Sequence, residues 1–162
     1  NQSMGHLYII EPGEYQNIID LYDRQGGDEV LRQLANRIQN IPSFADSIIA
    51  RYTHSAIIVA TRLSLREMKI PPIVAEQFLS EPYYIDGKEV YLTLKIGTSS
   101  FSSRINYIEA VRQADIALSS ALKVTGTVIK NFNMSLIESV EQEMNVLAHF
   151  APAESELDDR GN

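Results

Sequence analysis

Gly26-Gly27-Asp28-Glu29 is the stretch of this sequence that most readily suggests chemistry. Paired glycines let a backbone approach a phosphate, and neighbouring carboxylates can hold a divalent cation. That use needs a tight turn, and the residues that follow do not supply one. Val30, Leu31, Leu34, Ala35 and Ile38 recur at helical spacing, so the acidic pair opens a helix. The pattern predicts a break at Gly26–Gly27 and Asp28 as the N-cap of the next helix. Ser120-x-x-Lys123 spells a serine-hydrolase pattern but has no companion motif and ends a predicted helix, which marks it as chance. The three histidines, His6, His54 and His149, are scattered, and His54 reads as an exposed turn residue. With no cysteine, thiol nucleophiles, disulfides and Cys-ligated metals are excluded.

The 162 residues, 44% hydrophobic and 22% charged, suit one domain with a real core. Apolar runs such as Ala56–Ala60 fall far short of the ~18 residues of a membrane span. Asn1–Pro12 has neither the basic start nor the long apolar stretch of a signal peptide. A net charge of −7 argues against binding to nucleic acid or to an anionic membrane surface. Residues 151–162 set four carboxylates against Arg160, with Leu157 as the one large apolar residue, and read as a disordered acidic tail.

The elements that must position any site follow from periodicity. His6–Ile10 is a strand, Tyr15–Tyr22 a helix, and Asp28–Ile38 a second helix ended by Pro42. Ser47–Tyr52 and Ala56–Thr61 form a hairpin about Thr53-His54-Ser55. Ile73–Leu79 restarts as a helix after Pro71–Pro72. Tyr83–Ile85 and Glu89–Gly97, joined by Asp86–Gly87, are a second hairpin. A helix over Ile105–Leu122, with Ile108, Val111, Ala114, Leu118 and Ala121 on its buried face, leads through Gly126 to a strand, Thr127–Phe132. Met134–Phe150 is the last helix. The expected class is α+β, a mixed sheet covered by helices.

Several of these segments, in order, resemble the GGDEF domain, the diguanylate cyclase fold of bacterial cyclic di-GMP signalling. Asp20-Leu-Tyr-Asp-Arg-Gln-Gly-Gly27-Asp28-Glu-Val-Leu31 is similar to the family's "ND-x-x-G-H-x-x-G-D-x-L-L". Ser47–Tyr52 resembles the strand entering the signature hairpin, Val90–Gly97 the "lT-x-SIG" strand, and Arg112–Leu118 the "r-x-AD-x-Al" helix. The resemblance covers residues 6–132 and implies the nucleotidyl-cyclase-like fold. It also puts the signature not at Gly26–Glu29 but at Thr53-His54-Ser55-Ala56-Ile57.

On that register the family's metal carboxylates fall on Glu11, Gly13, Ser55 and Ala56. Its guanine-reading Asn falls on Ile19, with the partner Asp surviving as Asp28. The phosphate-contacting Lys falls on Leu122, with Lys123 one residue late, and the Arg and Asp of the inhibitory product site fall on Phe44 and Ser47, with Asp46 out of register. A hydroxyl and a methyl do not replace two carboxylates around a hard cation. The resemblance therefore implies a degenerate domain: no enzyme, no metal or cofactor, no cyclic di-GMP at the inhibitory site, with Glu11 a solvated remnant. The alternative it leaves is an allosteric GTP site regulating an attached EAL phosphodiesterase domain. Residues 133–150 are similar to the linker helix of GGDEF domains fused to EAL domains. Ile137, Val140, Met144 and Leu147 form a narrow seam on it, of the spacing that contacts an adjoining domain, a protein partner or a second copy. A cytoplasmic location, alone or as the cytoplasmic part of a membrane-anchored receptor, is expected.

Overall fold

The computed structural model describes residues 4–62 and 79–160, with residues 149–160 as backbone only. The chain divides into two compact units, Asn1–Phe132 and Asn133–Asn162.

The first unit is built on β1 (Gly5–Pro12), which pairs antiparallel on one side with β3 (Ala56–Arg62) and on the other with β6 (Leu94–Phe101). β2 (Ile48–Thr53) adds antiparallel to β3, and β7 (Val128–Asn131) adds parallel to β6. The order is β2-β3-β1-β6-β7. This mixed sheet between helices is the α+β class expected from the sequence.

Strand alternation gives the sheet two apolar faces. Ile10, Ile57, Val59 and Ile96 meet helix α1 (Tyr15–Gln39) through Val30, Leu31, Leu34 and Ile38. Leu7, Ile9 and Phe101 meet helix α2 (Tyr107–Leu122) through Ala110, Ala114 and Leu118. The alanine stripe brings α2 close: a Cβ on Gly97 would overlap the Ala114 carbonyl and the Leu118 amide.

Four local expectations are corrected. The break in α1 falls at Asp23, whose φ of 62° is left-handed, and not at Gly26–Gly27. Those glycines are buried inside the helix, because a Cβ on either would collide with Tyr22 or the Tyr15 ring. Asp28 therefore lies in the helix interior and is not an N-cap. Ile108 is 82% exposed, and the buried face of α2 is carried by alanines and Leu118. The long second arm at 89–97 is two strands. Among the described residues β5 (Lys88–Val90) pairs only with β4 (Tyr83–Ile85), and β6 starts afresh at Leu94. Between them the backbone turns to the main sheet: Gly13 N–H donates to the Thr93 carbonyl at 2.7 Å, and Leu94 N–H to Thr127 Oγ1 at 3.2 Å. The helix expected over Ile73–Leu79 lies outside the described residues except at Leu79, which is buried.

The second unit is one helix, α3 (Met134–Arg160). It runs on through the stretch expected to be a disordered tail, Pro152 included.

Replacing Gly97 by Ala forces a methyl into backbone atoms of α2, and overpacking of this kind costs about 1–3 kcal/mol. The G97A variant should melt several degrees lower in thermal denaturation followed by circular dichroism. An unchanged melting temperature would contradict the close α2–sheet contact.

Candidate functional site

Because β1 is central, its C-terminal end carries Glu11 beside the β2–β3 turn. Ile10 is paired with Ile57, and the turn residues Thr53–Ala56 follow at the same end of the sheet. Ser55 Oγ donates to Glu11 Oε1 at 2.6 Å, joining the two positions that the sequence comparison sets against each other. Glu11 is half-buried by this contact, which corrects its reading as a solvated remnant. Within the turn, Ser55 N–H donates to Thr53 Oγ1 at 3.3 Å.

Arg51 fixes the turn from behind. Its Nε donates to the Thr53 carbonyl at 2.9 Å, a second guanidinium nitrogen donates to the His54 carbonyl, and Nη1 lies 3.0 Å from Asp28 Oδ1 on α1. Asp28 is thus engaged by an arginine. The His54 ring is exposed and sits 6.1 Å from the Tyr15 ring, centroid to centroid. Burial pushes the Tyr15 phenol up, against the pull of Arg51.

An open cleft of about 440 Å³ lies here, walled by Glu11, Glu14, Tyr15, Ile19, His54 and Ser55. Among the described residues two carboxylates and no lysine or arginine line it, and Ile19 offers no hydrogen bond to a base. A Cβ on Gly13 would lie 2.2 Å from Thr93 Oγ1 and 3.4 Å from Lys95 Cε, so the Thr93 hydroxyl would have to turn aside to admit a side chain. Lys95 is itself buried and donates to the Val124 and Gly126 carbonyls. Among the described residues no group of three or more His, Asp or Glu side chains is placed to hold a metal. One carboxylate already bonded to a neutral hydroxyl does not fit a site for magnesium ions.

The other expected positions are apolar or structural. Ala56 and Ile57 are buried in the sheet. Phe44 packs edge-on against Tyr8 at 5.4 Å, the Ser47 hydroxyl is buried with no hydrogen-bond partner among the described residues, and Asp46 is exposed. Leu122 is partly exposed at the end of α2, where Ser120-x-x-Lys123 closes the helix.

The family model described as "Diguanylate cyclase, GGDEF domain" matches residues 1–127. The chain belongs to the GGDEF family. The GGDEF domain of TpbB (YfiN) from Pseudomonas aeruginosa superposes with a TM-score of 0.68 at 17% identity, covering 86% of this chain and 83% of that one. The active GGEEF domain of a diguanylate cyclase from Vibrio cholerae gives 0.64 at 21% identity, covering 81% and 84%. Identities this low carry the shared fold alone. A curated relative, the uncharacterized protein y4lL of Sinorhizobium fredii, is 27% identical over 152 residues, which are 90% of this chain but 18% of that protein. The chain therefore spans about a fifth of the length of that relative. No described helix is long and apolar enough to cross a membrane.

Within the GGDEF fold the β2–β3 turn carries Thr53–Ser55, as the sequence reading has it, and Gly26–Glu29 lies inside a helix where that reading expected a break. That reading missed Arg51, the residue that ties the turn to Asp28. Its one signal was a lone cation immediately before the turn. The pairing of Tyr52 with Asp115 was missed as well: the phenol donates to the carboxylate across the α2 side of the sheet.

This last bond predicts an alkaline transition. The hydrogen bond to Asp115, then burial, then the Asp115 charge push the Tyr52 phenol up to about 12. An unfolded phenol titrates near 10. The stabilisation is therefore complete below pH 10 and is lost as pH rises towards 12. Tyr52→Phe should be less stable than wild type at pH 8, with the difference gone by pH 12, in urea unfolding at the two pH values. A pH-independent difference would contradict the bond.

Proposed function

We propose that this GGDEF domain makes no cyclic di-GMP and acts as a regulatory, protein-interaction module of cyclic di-GMP signalling. The observation that carries the reading is the Ser55–Glu11 hydrogen bond, a neutral hydroxyl where the family's chemistry calls for a second carboxylate. Metal ions neutralise phosphoryl charge and align the attacking hydroxyl, so a site without its ligands loses the main stabiliser of the transition state. Among the described residues the cleft wall also offers no lysine or arginine for a triphosphate. Phe44 and Ser47 supply no charges at the inhibitory site.

Incubated with GTP and magnesium, the purified chain should yield no cyclic di-GMP above background, and calorimetry should detect no micromolar cyclic di-GMP binding. Ser55→Asp with Ala56→Glu should stay inactive, because Thr53 and His54 keep side chains where the family has glycines. Turnover abolished by Asp28→Ala would overturn the reading. The second reading is an allosteric GTP site in this cleft acting on an attached EAL domain. Saturable GTP binding without turnover would select it, although Ile19 and the Arg51–Asp28 pair count against guanine recognition.

As an interaction module, the domain would use α3. Met144 and Leu147 are 64% and 69% exposed, and Ile137 and Val140 are half-buried. Covering one such side chain contributes roughly 1.5–3 kcal/mol. An adjoining domain, a protein partner or a second copy would supply the cover, in a cytoplasmic setting. Val140→Asp with Met144→Asp should weaken self-association or docking in light scattering while the sheet domain melts normally. A monomeric wild type together with an unfolded double variant would show that the helix is only core.

A further inference from the structure

Among the described residues α2 packs mainly on β6, β1 and β7 and leaves the outer half of its sheet face only partly covered. On that half the register sets Ile48 opposite Ala60 and Ala50 opposite Ile58, all four on the face that bears Leu7 and Ile9. Ile48 is 74% exposed, Ala50 is exposed, and Ile58 and Ala60 are half-buried. The flank of α2 beside this floor is apolar too. Ile108 and Leu122 are exposed and Val111 is half-buried, in a row at steps of three and four that Asp115 and the buried Leu118 complete. Asp115 reaches Tyr52 on β2, which shows that this flank looks over these strands.

The result is a trough floored by two strands and walled by a helix flank of alternating three–four spacing. Two strands at about 4.8 Å each make a floor about as wide as one helix. Ala50 and Ala60 leave room for a backbone to come close. Charge is polarised along the trough. At one end Arg62, on the same face as Ala60, pairs in register with Gly5, which pairs with Phe101; Arg104 follows three residues later, and both arginines are exposed. At the other end Tyr52 and Asp115 close the floor.

The geometry points to a docking trough for an amphipathic helix of a partner protein, lying beside α2 with its acidic C-terminal turn at Arg62 and Arg104. The helix form follows from the width and from the spacing on α2, where side chains at three and four interlock with a like stripe. The polarity follows from the arginines, which favour carboxylates and the negative end of a helix dipole. This inference is independent of whether the domain turns over GTP.

The test uses the whole 162-residue chain and a fluorescent three-heptad synthetic peptide with leucine at the seam, glutamates in its last turn and a free carboxyl terminus. The controls are a scrambled peptide and an amidated peptide with lysines in the last turn. Anisotropy titration should show saturable binding of the acidic peptide at least tenfold tighter than either control. Ile108→Asp and Ile48→Asp, at exposed positions that do not disturb folding, should each weaken it tenfold or more with the circular dichroism spectrum unchanged. Arg62→Glu with Arg104→Glu should reverse the preference between acidic and lysine peptides. Binding indifferent to the two Asp variants, or equal for the scrambled peptide, would overturn the proposal. So would a dimer in light scattering that Ile108→Asp disperses, because the occupant would then be a second copy of this chain.

Discussion

The position of β1 between β3 and β6 is the constraint on which the rest of the molecule depends. A strand paired on both sides cannot shift by one residue without turning Leu7 and Ile9 out of one core and Tyr8 and Ile10 out of the other. That fixed register delivers Glu11 to the mouth of the β2–β3 turn, where Ser55 meets it. It also sets the floor on which α1 and α2 pack from opposite sides. The candidate site is therefore as rigid as the sheet itself, and its chemistry is decided by the side chains at a few places.

Those side chains form a closed local network instead of an open set of ligands. Glu11 is taken by Ser55, Asp28 by Arg51, and the turn carbonyls by the same arginine. The Arg51–Asp28 pair is largely exposed, so its contribution is geometric more than energetic: it keeps the turn against α1. Retaining the geometry of a nucleotide site while exchanging its carboxylates is what a family scaffold turned to binding would require. The fold remains because the packing of Val30, Leu34, Val59 and Ala114 does not depend on the residues in the turn.

Much of this architecture was legible in the sequence, for reasons that show where the reading failed. The β-rich apolar run at 56–61 and helical spacing at 30–38 identified the elements on each side of the turn, and so rejected Gly26–Glu29 as the site. Glycine misled at 26–27 because its role there is to admit the Tyr15 and Tyr22 side chains, a contact distant enough that local pattern cannot signal it. Ile108 was misassigned for a related reason. An alanine stripe buries α2 more closely than a stripe of larger residues, so the larger residue faces out. Glu11 looked solvated because its partner lies 44 residues away. The Arg51–Asp28 and Tyr52–Asp115 contacts are long-range pairs of the same kind, set by register and not by spacing along the chain.

The central claim is that Glu11 and Ser55 do not form a metal site. It is tested most directly by titrating manganese into the isotope-labelled protein, in the presence of a non-hydrolysable GTP analogue, and following backbone amide signals. Paramagnetic broadening should affect the Glu11, His54 and Ser55 amides no more selectively than other exposed carboxylate regions, and should not saturate. Selective, saturable broadening at those three amides at micromolar manganese, reversed by magnesium, would contradict the account.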